Sequence, residues 1–150
     1  MEKYFFYTLL IIIAAGCSPR IMTHDASVNF LSAVDGTITL RAIGEGSNKN
    51  SVASAQQKVI TALLFRGIPE SPEKFPLIGT SEGEEKAKHP EYFNSLYDGQ
   101  RYKSFISSTI PTTSVYRESG SRKTAFDIKV NVNALRSDLE ANKIIRKFGY

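Results

Sequence analysis

A short stretch close to the C-terminus constrains the fold of this chain more than any other. Its apolar residues alternate strictly with polar ones, and the apolar positions are Phe126, Ile128, Val130 and Val132. Alternation of this kind places the two sets of side chains on opposite faces of an extended strand. A strand with one buried and one wet face is typical of an antiparallel sheet, because parallel strands are normally covered on both faces.

Two β-type runs in the first third of the chain predict a hairpin. They cover residues 27–34 and 37–43, and the dipeptide Asp35-Gly36 between them is a two-residue turn signal. Alternation in the second run predicts a half-buried strand. The residues on its buried face are Ile38, Leu40 and Ala42.

A long amphipathic helix is predicted next. Asn50 or Ser51 is the expected N-cap, because a short side-chain oxygen can accept from the first free backbone N–H groups. Gly67 ends the helix and Pro69 follows the stop. The apolar residues of this helix form a stripe along one side, and the stripe is wide enough for a helix that packs on a sheet. Its apolar positions include Val52, Ala55, Val59, Ala62 and Leu63.

Residues 70–90 are predicted to be irregular and charged, with Phe75, Leu77 and Ile78 attaching the first half to the body. A segment of this length without structure of its own is expected to be functional or disordered. Two short helical pieces follow. Their rings form either the core side of these helices or a surface that stacks on carbohydrate or peptide, and they are Tyr92, Phe93, Tyr97, Tyr102 and Phe105.

The C-terminal part predicts an edge strand, a turn and a last helix. Residues 109–118 are β-prone, with Pro111 indicating an edge or a bulge, and residues 119–121 form a turn. Asn133 is the expected cap of a helix over residues 134–141, which ends in a left-handed turn at 142–143. The tail is expected to dock through Ile144, Ile145 and Phe148.

Strands and helices do not alternate in the βαβ manner that builds a parallel sheet. The sequence therefore predicts an α+β domain of two layers. We expect an antiparallel sheet of three or four strands, one long helix packed on a face, short helices and a C-terminal helix.

The first 17 residues resemble the signal of a bacterial lipoprotein. A short charged region, an apolar run over residues 4–15 and the small residues 14–16 lead into Cys17, the only cysteine. The apolar run is too short for the roughly 20 residues that a transmembrane helix needs. The resemblance implies that the Cys17 thiol is acylated and becomes the new N-terminus, although Ala14 stands where Leu is usual. The alternative is an ordinary secreted protein with an incidental cysteine.

This resemblance divides the chain into three parts. Residues 1–16 are the lipoprotein signal peptide, residues 17–27 a lipidated tether and residues 28–150 a single α+β domain. Acyl chains on Cys17 make the membrane the first expected partner, since two chains already anchor a protein stably. Ser18 after the cysteine resembles the outer-membrane sorting pattern. The expected location is the cell envelope, at the outer membrane and facing the periplasm.

Charge and cysteine content exclude some classes of function. Nineteen Lys and Arg against 15 Asp and Glu give a net charge of +4, spread along the chain. This predicts a solvated surface with a slight basic bias, or weak affinity for anionic lipid or polymer, and no nucleic-acid partner. With Cys17 acylated, no thiol remains for a disulfide or a thiolate metal site.

No catalytic constellation is visible in the sequence. Neither His24 nor His89 has a second histidine or a carboxylate at metal-ligand spacing, and no Gly-x-Ser-x-Gly elbow occurs. A solvated loop is the simpler interpretation of His89, and loose metal binding together with Glu84 and Glu85 is the alternative. We therefore predict no enzyme, no cofactor and no metal site.

Two blocks of sequence carry a further resemblance. One is the helical run over residues 53–69, with its Ala62-Leu63-Leu64-Phe65-Arg66-Gly67 end, and the other is the terminal run over residues 132–149. Both resemble uncharacterised lipoproteins of the Bacteroidota. More loosely, a glycine-ended strand before an Ala-rich helix resembles small envelope lipoproteins of the LPP20 type. Some such lipoproteins resemble accessory parts of the type VI secretion system, so the resemblance implies envelope assembly rather than chemistry.

Three functional hypotheses follow. The first is an accessory lipoprotein that docks a partner in an envelope machine, through residues 70–90 and a basic tail in which Arg136, Arg146 and Lys147 are the candidate contacts. The second is a periplasmic lipoprotein that binds glycan or peptide on exposed rings of residues 92–105. The third is an enzyme, which would need His89 ordered in a cleft against a carboxylate.

Overall fold

The computed structural model describes residues 28–79, 81–112, 116–118 and 121–147. The predicted signal peptide, Cys17 and its tether lie outside these residues. So do Ser119 and Gly120 of the predicted turn, and Phe148 of the tail. No helix within the described ranges is both long and apolar enough to cross a membrane.

The fold is an antiparallel sheet with helices, which confirms the predicted α+β class. Four strands lie in the order β1-β2-β5-β3, and a short fifth strand, β4, also pairs with β5. Every pairing is antiparallel. The strands are β1 (Val28–Val34), β2 (Thr37–Glu45), β3 (Ile106–Pro111), β4 (Tyr116–Glu118) and β5 (Ser121–Asn131).

The long helix and several short ones complete the domain. The α-helices are α1 (Asn48–Phe65), α2 (Glu82–Lys88), α3 (Pro90–Tyr97) and α4 (Val132–Ala141), and a 3₁₀ helix spans Arg101–Phe105. The predicted hairpin, the long helix, the two short helical pieces before residue 106 and the last helix are therefore present. The strand predicted over residues 109–118 is instead β3, which begins earlier at Ile106, and the separate β4, and Ser121 of the predicted turn begins β5.

The hairpin between β1 and β2 turns at Asp35 and Gly36. Both residues have positive φ, 47° and 72°, as a two-residue turn of type I′ requires. Val34 pairs directly with Thr37 across the turn. The pairing shifts register between Phe30 and Ser32, which leaves Leu31 as a bulge on the outer strand.

One face of the sheet forms the core against α1. The alternating residues of the two central strands are at most 4% exposed on this face, and they are Ile38, Leu40, Ala42, Phe126, Ile128 and Val130. On the other face Arg41 lies opposite Asp127 and pairs with it through two hydrogen bonds, of 2.7 and 3.0 Å. The alternation therefore correctly predicts which residues of the last strand are buried and which are exposed. The exception is Val132, which begins α4 instead of ending the strand.

Close contact between β2 and the start of α1 explains one glycine. A Cβ on Gly44 would lie 1.8 Å from the carbonyl oxygen of Ser51, which is a backbone atom and cannot move aside. Only a residue without a side chain fits there. The predicted caps of α1 are wrong, because Gly46, at φ 99°, lets the helix begin at Asn48 and Ser51 is buried inside it.

The end of α1 is as predicted. Gly67 has φ 74°, and its N–H donates to the carbonyl oxygen of Ala62 at 2.9 Å. This is the left-handed glycine stop that commonly terminates helices.

The predicted cap of the last helix is wrong by two positions. The Asn131 side-chain oxygen accepts from the N–H of Ala134 at 2.9 Å, and the Gly36 carbonyl oxygen accepts from Val132 and Asn133 at 2.9 and 3.2 Å. The helix begins earlier, at the buried Val132, because Asn131 and Gly36 accept from the first three N–H groups of the helix.

The far end of α4 is a Schellman motif, which confirms the predicted left-handed turn. Lys143, at φ 57°, donates to the carbonyl oxygen of Glu140, and Ile144 donates to that of Leu139. Ile144 and Ile145 pack against the core as expected.

Residues 70–90 differ most from the prediction. The charged run is the helix α2, which Lys86–Glu82 and Lys88–Glu85 ion pairs stabilise at 2.8 and 2.6 Å. Its acidic residues lie in the first turn and its basic residues in the last turn, as the helix dipole favours. Phe75 is 70% exposed, contrary to expectation.

Two backbone hydrogen bonds attach the segment before α2 to the end of α1. The N–H groups of Leu77 and Ile78 donate to the carbonyl oxygens of Leu63 and Leu64, both at 3.0 Å. The predicted attachment through Leu77 and Ile78 is therefore present, and only that through Phe75 is not.

Candidate functional site

The aromatic residues of α3 and the 3₁₀ helix belong to the core. Tyr92, Phe93, Tyr102 and Phe105 are between 1% and 8% exposed, and Tyr97 is partly buried. The rings of Tyr92 and Phe93 meet edge to face with centroids 5.2 Å apart. Of the two interpretations of these rings, the core is correct, and they do not form an exposed stacking surface.

A polar network ties these short helices to α4. The Tyr92 hydroxyl donates to Asp138 Oδ2 at 2.8 Å, and Arg101 Nη1 donates to Asp138 Oδ1 at 2.6 Å. The Arg101 guanidinium also lies 4.9 Å from the centre of the Tyr92 ring. Burial, then the hydrogen bond to Asp138, raises the pKa of Tyr92, so the phenol stays protonated as a donor. These contacts join α3, the 3₁₀ helix and α4, so their role is to stabilise the fold.

His89 lies between α2 and α3, beside a surface cleft of about 550 Å³ that Arg101 and Glu91 also line. Its imidazole is half-buried and makes no hydrogen bond or ion pair with any residue that the structure describes. Among the described residues, no carboxylate therefore holds His89 as the enzyme hypothesis requires. Within the described ranges, no group of three or more His, Cys, Asp or Glu residues is placed to hold a metal ion.

The three basic residues predicted to contact a partner have different surroundings. Arg136 is half-buried, and its Nη2 lies 3.2 and 3.0 Å from the two carboxylate oxygens of Glu73. This ion pair joins α4 to the segment after α1. Arg146 and Lys147 are exposed beyond the Schellman turn that ends α4. The chain therefore uses Arg136 internally and leaves the other two side chains accessible.

A second cleft, of about 610 Å³, lies between the first half of α1 and strand β3. Its apolar lining comes from Val52, Ala53 and Ile106, and Lys49 and Lys103 line it as exposed residues. None of the described residues that line it is a carboxylate. A cleft of this volume is in the range of ordinary ligand sites.

The wall of this cleft, which we call the α1/β3 cleft, holds an incompletely bonded amide. Gln56 is 9% exposed, and its Nε2 donates to the Thr109 hydroxyl at 2.9 Å. Its Oε1 is buried and has no hydrogen-bond partner in the described part of the chain. Native proteins leave few buried polar groups unsatisfied, so such a group needs an explanation.

No pattern in the sequence indicates the α1/β3 cleft. Its two walls are far apart along the chain, and they meet only because β3 pairs with β5 at the edge of the sheet. Helical spacing does place Lys49, Val52, Ala53 and Gln56 on adjacent positions of α1. This spacing predicts that the four side chains share one side of α1, but it does not predict that β3 lies opposite them.

Comparison with protein-family models, with curated proteins and with solved structures finds no match for this chain. The resemblance to envelope lipoproteins therefore stays a prediction. The fold and the geometry of the two clefts are what define the molecule: a small two-layer α+β domain with a basic cleft beside one edge of its sheet.

Proposed function

We propose that this chain is a lipid-anchored lipoprotein of the bacterial cell envelope that serves as an accessory component of a protein assembly. The observation that carries the proposal is the position of Cys17, the only cysteine, directly after a short apolar run and three small residues. Acylation of Cys17 would hold the domain at the membrane, since two or more acyl chains give stable anchoring.

The length of the tether supports a role next to the membrane. Only residues 18–27 separate the predicted anchor from the first residue of β1. A chain of that length spans at most about 35 Å when fully extended. The domain would then meet partners that lie at the membrane surface.

The surface of the domain supports docking over stacking on sugar rings. The aromatic residues that a glycan site would use are buried, whereas Arg146, Lys147 and the α1/β3 cleft are accessible. We assign the chain to the accessory class. Within that class, a secretion-type envelope complex is the assembly to which the sequence resemblance points.

Metabolic labelling with a palmitate analogue tests the anchor. The wild-type chain should be labelled and should fractionate with membranes, whereas Cys17→Ser should be unlabelled and should leave the membrane fraction. Ser18→Ala is the matched control and should behave as the wild type. Equal labelling or equal fractionation of wild type and Cys17→Ser would contradict the proposal.

Crosslinking in living cells tests the accessory role. A tagged copy should recover several envelope-assembly proteins from the membrane fraction, and their identity would name the machine. Recovery of the chain alone with bound glycan or peptide would instead favour a ligand-binding lipoprotein.

A further inference from the structure

We propose that the α1/β3 cleft binds an extended, acidic segment of a partner protein, which lies along the outer edge of β3. This inference rests on the proposed accessory function and names the surface and the partner chemistry. The argument has three parts: the backbone of β3, the charge of the cleft and its apolar lining.

The backbone of β3 is the first part. β3 pairs with β5 on one side only, and none of the strands in the described ranges pairs with its other side. An unpaired strand edge presents free N–H and C=O groups that another extended chain can satisfy. The register shift between Ile106 and Ser108 leaves regular pairing from Ser108 to Pro111, and Pro111, which has no N–H, limits addition at the far end.

The charge of the cleft is the second part. Lys49 and Lys103 both line it, and neither makes an ion pair with a residue that the structure describes. Among the described residues, the Lys103 ammonium hydrogen-bonds only the neutral side chain of Gln100. Lys49 stands in the first turn of α1, where no acidic residue offsets it and where the helix dipole disfavours a cation. Two lysines without an anionic partner among the described residues, in a described lining that has no carboxylate, make the cleft complementary to an acidic chain.

The lining is the third part. Val52, Ala53 and Ile106 give an apolar surface between the two lysines, where alternate side chains of an extended segment can be buried. The buried Gln56 amide, with one unpaired atom in the same wall, marks a place where the isolated domain is not fully hydrogen-bonded. A strand edge, an apolar groove and a basic lining together describe peptide recognition by strand addition.

Selection from a random peptide display library on the purified full chain tests this proposal. We expect the wild type to enrich peptides rich in Asp and Glu with alternating apolar residues. The double variant Lys49→Glu/Lys103→Glu should lose that enrichment and should favour basic peptides instead. Lys74→Glu/Lys143→Glu is the matched control, because it makes the same change in net charge at exposed positions outside the cleft.

The selected acidic peptide then serves as the probe. Its affinity, measured by fluorescence polarisation, should fall at least about tenfold in the Lys49→Glu/Lys103→Glu variant, because like charges then face each other. Ala53→Phe should abolish binding by filling the cleft. Thermal unfolding of both variants checks that they fold. Hydrogen exchange should show protection of the amides of residues 106–110 on binding.

Several results would overturn the proposal. They are enrichment of peptides that are not acidic, equal weakening in the control double variant, and protection that excludes residues 106–110. If inorganic phosphate or a glycan displaced the acidic peptide as effectively as unlabelled peptide does, the cleft would be assigned to a small ligand instead. Because this assay does not use the anchor, its failure leaves the labelling of Cys17 unaffected, and loss of labelling leaves peptide binding unaffected.

Discussion

Arg136 and Glu73 form an ion pair in which one guanidinium nitrogen lies 3.0 Å from a carboxylate oxygen, and this contact joins the last helix to the segment that follows α1. Both side chains are partly buried, 31% and 20% exposed. A residue that the sequence offered as a partner contact is thus engaged within the domain. Substitution of Arg136 should therefore change the stability of the domain before it changes any contact with a partner.

We expect Arg136→Ala to lower the free energy of unfolding by about 1 kcal/mol, since exposed and half-exposed ion pairs contribute at most that much. Arg146→Ala and Lys147→Ala should leave stability unchanged, because both side chains are exposed beyond the helix. Urea denaturation of the three variants measures the difference. A loss of partner recovery on crosslinking with unchanged stability in Arg136→Ala would instead favour a direct contact.

Gly44 should be among the least replaceable residues of the chain. Gly44→Ala places a Cβ 1.8 Å from the Ser51 carbonyl oxygen, so α1 must move off the sheet. Overpacking of this kind costs about 3 kcal/mol, and more where backbone cannot shift. Thermal unfolding should show a large drop in melting temperature.

Gly83→Ala is the matched control for that substitution. A Cβ on Gly83 meets no atom within 4 Å, and the residue lies in α2. Alanine is favoured over glycine in a helix by about 0.5–1 kcal/mol, so this variant should be slightly more stable than the wild type. A Gly44→Ala variant as stable as Gly83→Ala would show that α1 does not lie so close to β2.

The two asparagines at the start of α4 should differ in their effect. Asn131→Ala removes the side-chain oxygen that accepts from the N–H of Ala134, and loss of an N-cap costs about 1 kcal/mol. Asn133→Ala should cost less than half as much, because its side chain is exposed and is not the cap. Denaturant titration of both variants distinguishes them, and the reverse order would restore the cap predicted from sequence.

Stability should fall in alkali through the buried tyrosines. Burial raises the pKa of Tyr97 to about 12, from 10.0 in the unfolded chain. Above pH 10 the unfolded state therefore loses this proton while the folded state keeps it, so stability present below pH 10 is lost as the pH rises to 12. The loss is at most about 1.4 kcal/mol per pH unit for one such group.

Tyr97→Phe removes that titration and should make the alkaline decline shallower. It also removes the hydrogen bond to the Thr61 hydroxyl, at 3.0 Å, so the variant should be less stable at neutral pH. Denaturant unfolding measured across the alkaline range gives both effects. Parallel pH profiles for wild type and variant would mean that Tyr97 is not buried as the structure has it.

Much of the fold could be predicted because it depends on local patterns. The alternation at Phe126, Ile128 and Val130 depends only on a period of two, and the Asp35-Gly36 turn depends on two residues that tolerate positive φ. Helix α2 was missed because it has no buried residue and hence no apolar stripe. Its signal was in the charges, which place Glu82 and Lys86 one turn apart.

The candidate site could not be predicted in the same way. The sequence predicts that Arg136 lies on a helix, but it does not predict a partner for the side chain. The ion pair with Glu73 forms because the segment after α1 folds back toward α4. The α1/β3 cleft likewise depends on which strand occupies the sheet edge beside α1, and a single sequence does not specify strand order.

The strand order also sets when a nascent chain can fold. β2 pairs along its whole length with β5, from Thr37 opposite Asn131 to Glu45 opposite Lys123. Helix α1 can therefore cover the apolar face of the first hairpin early, but the edge of β2 has no partner strand until β5 has been synthesised, and contacts of such long sequence separation form slowly. The sheet of the described domain is therefore completed only after synthesis has reached β5, near the end of that domain.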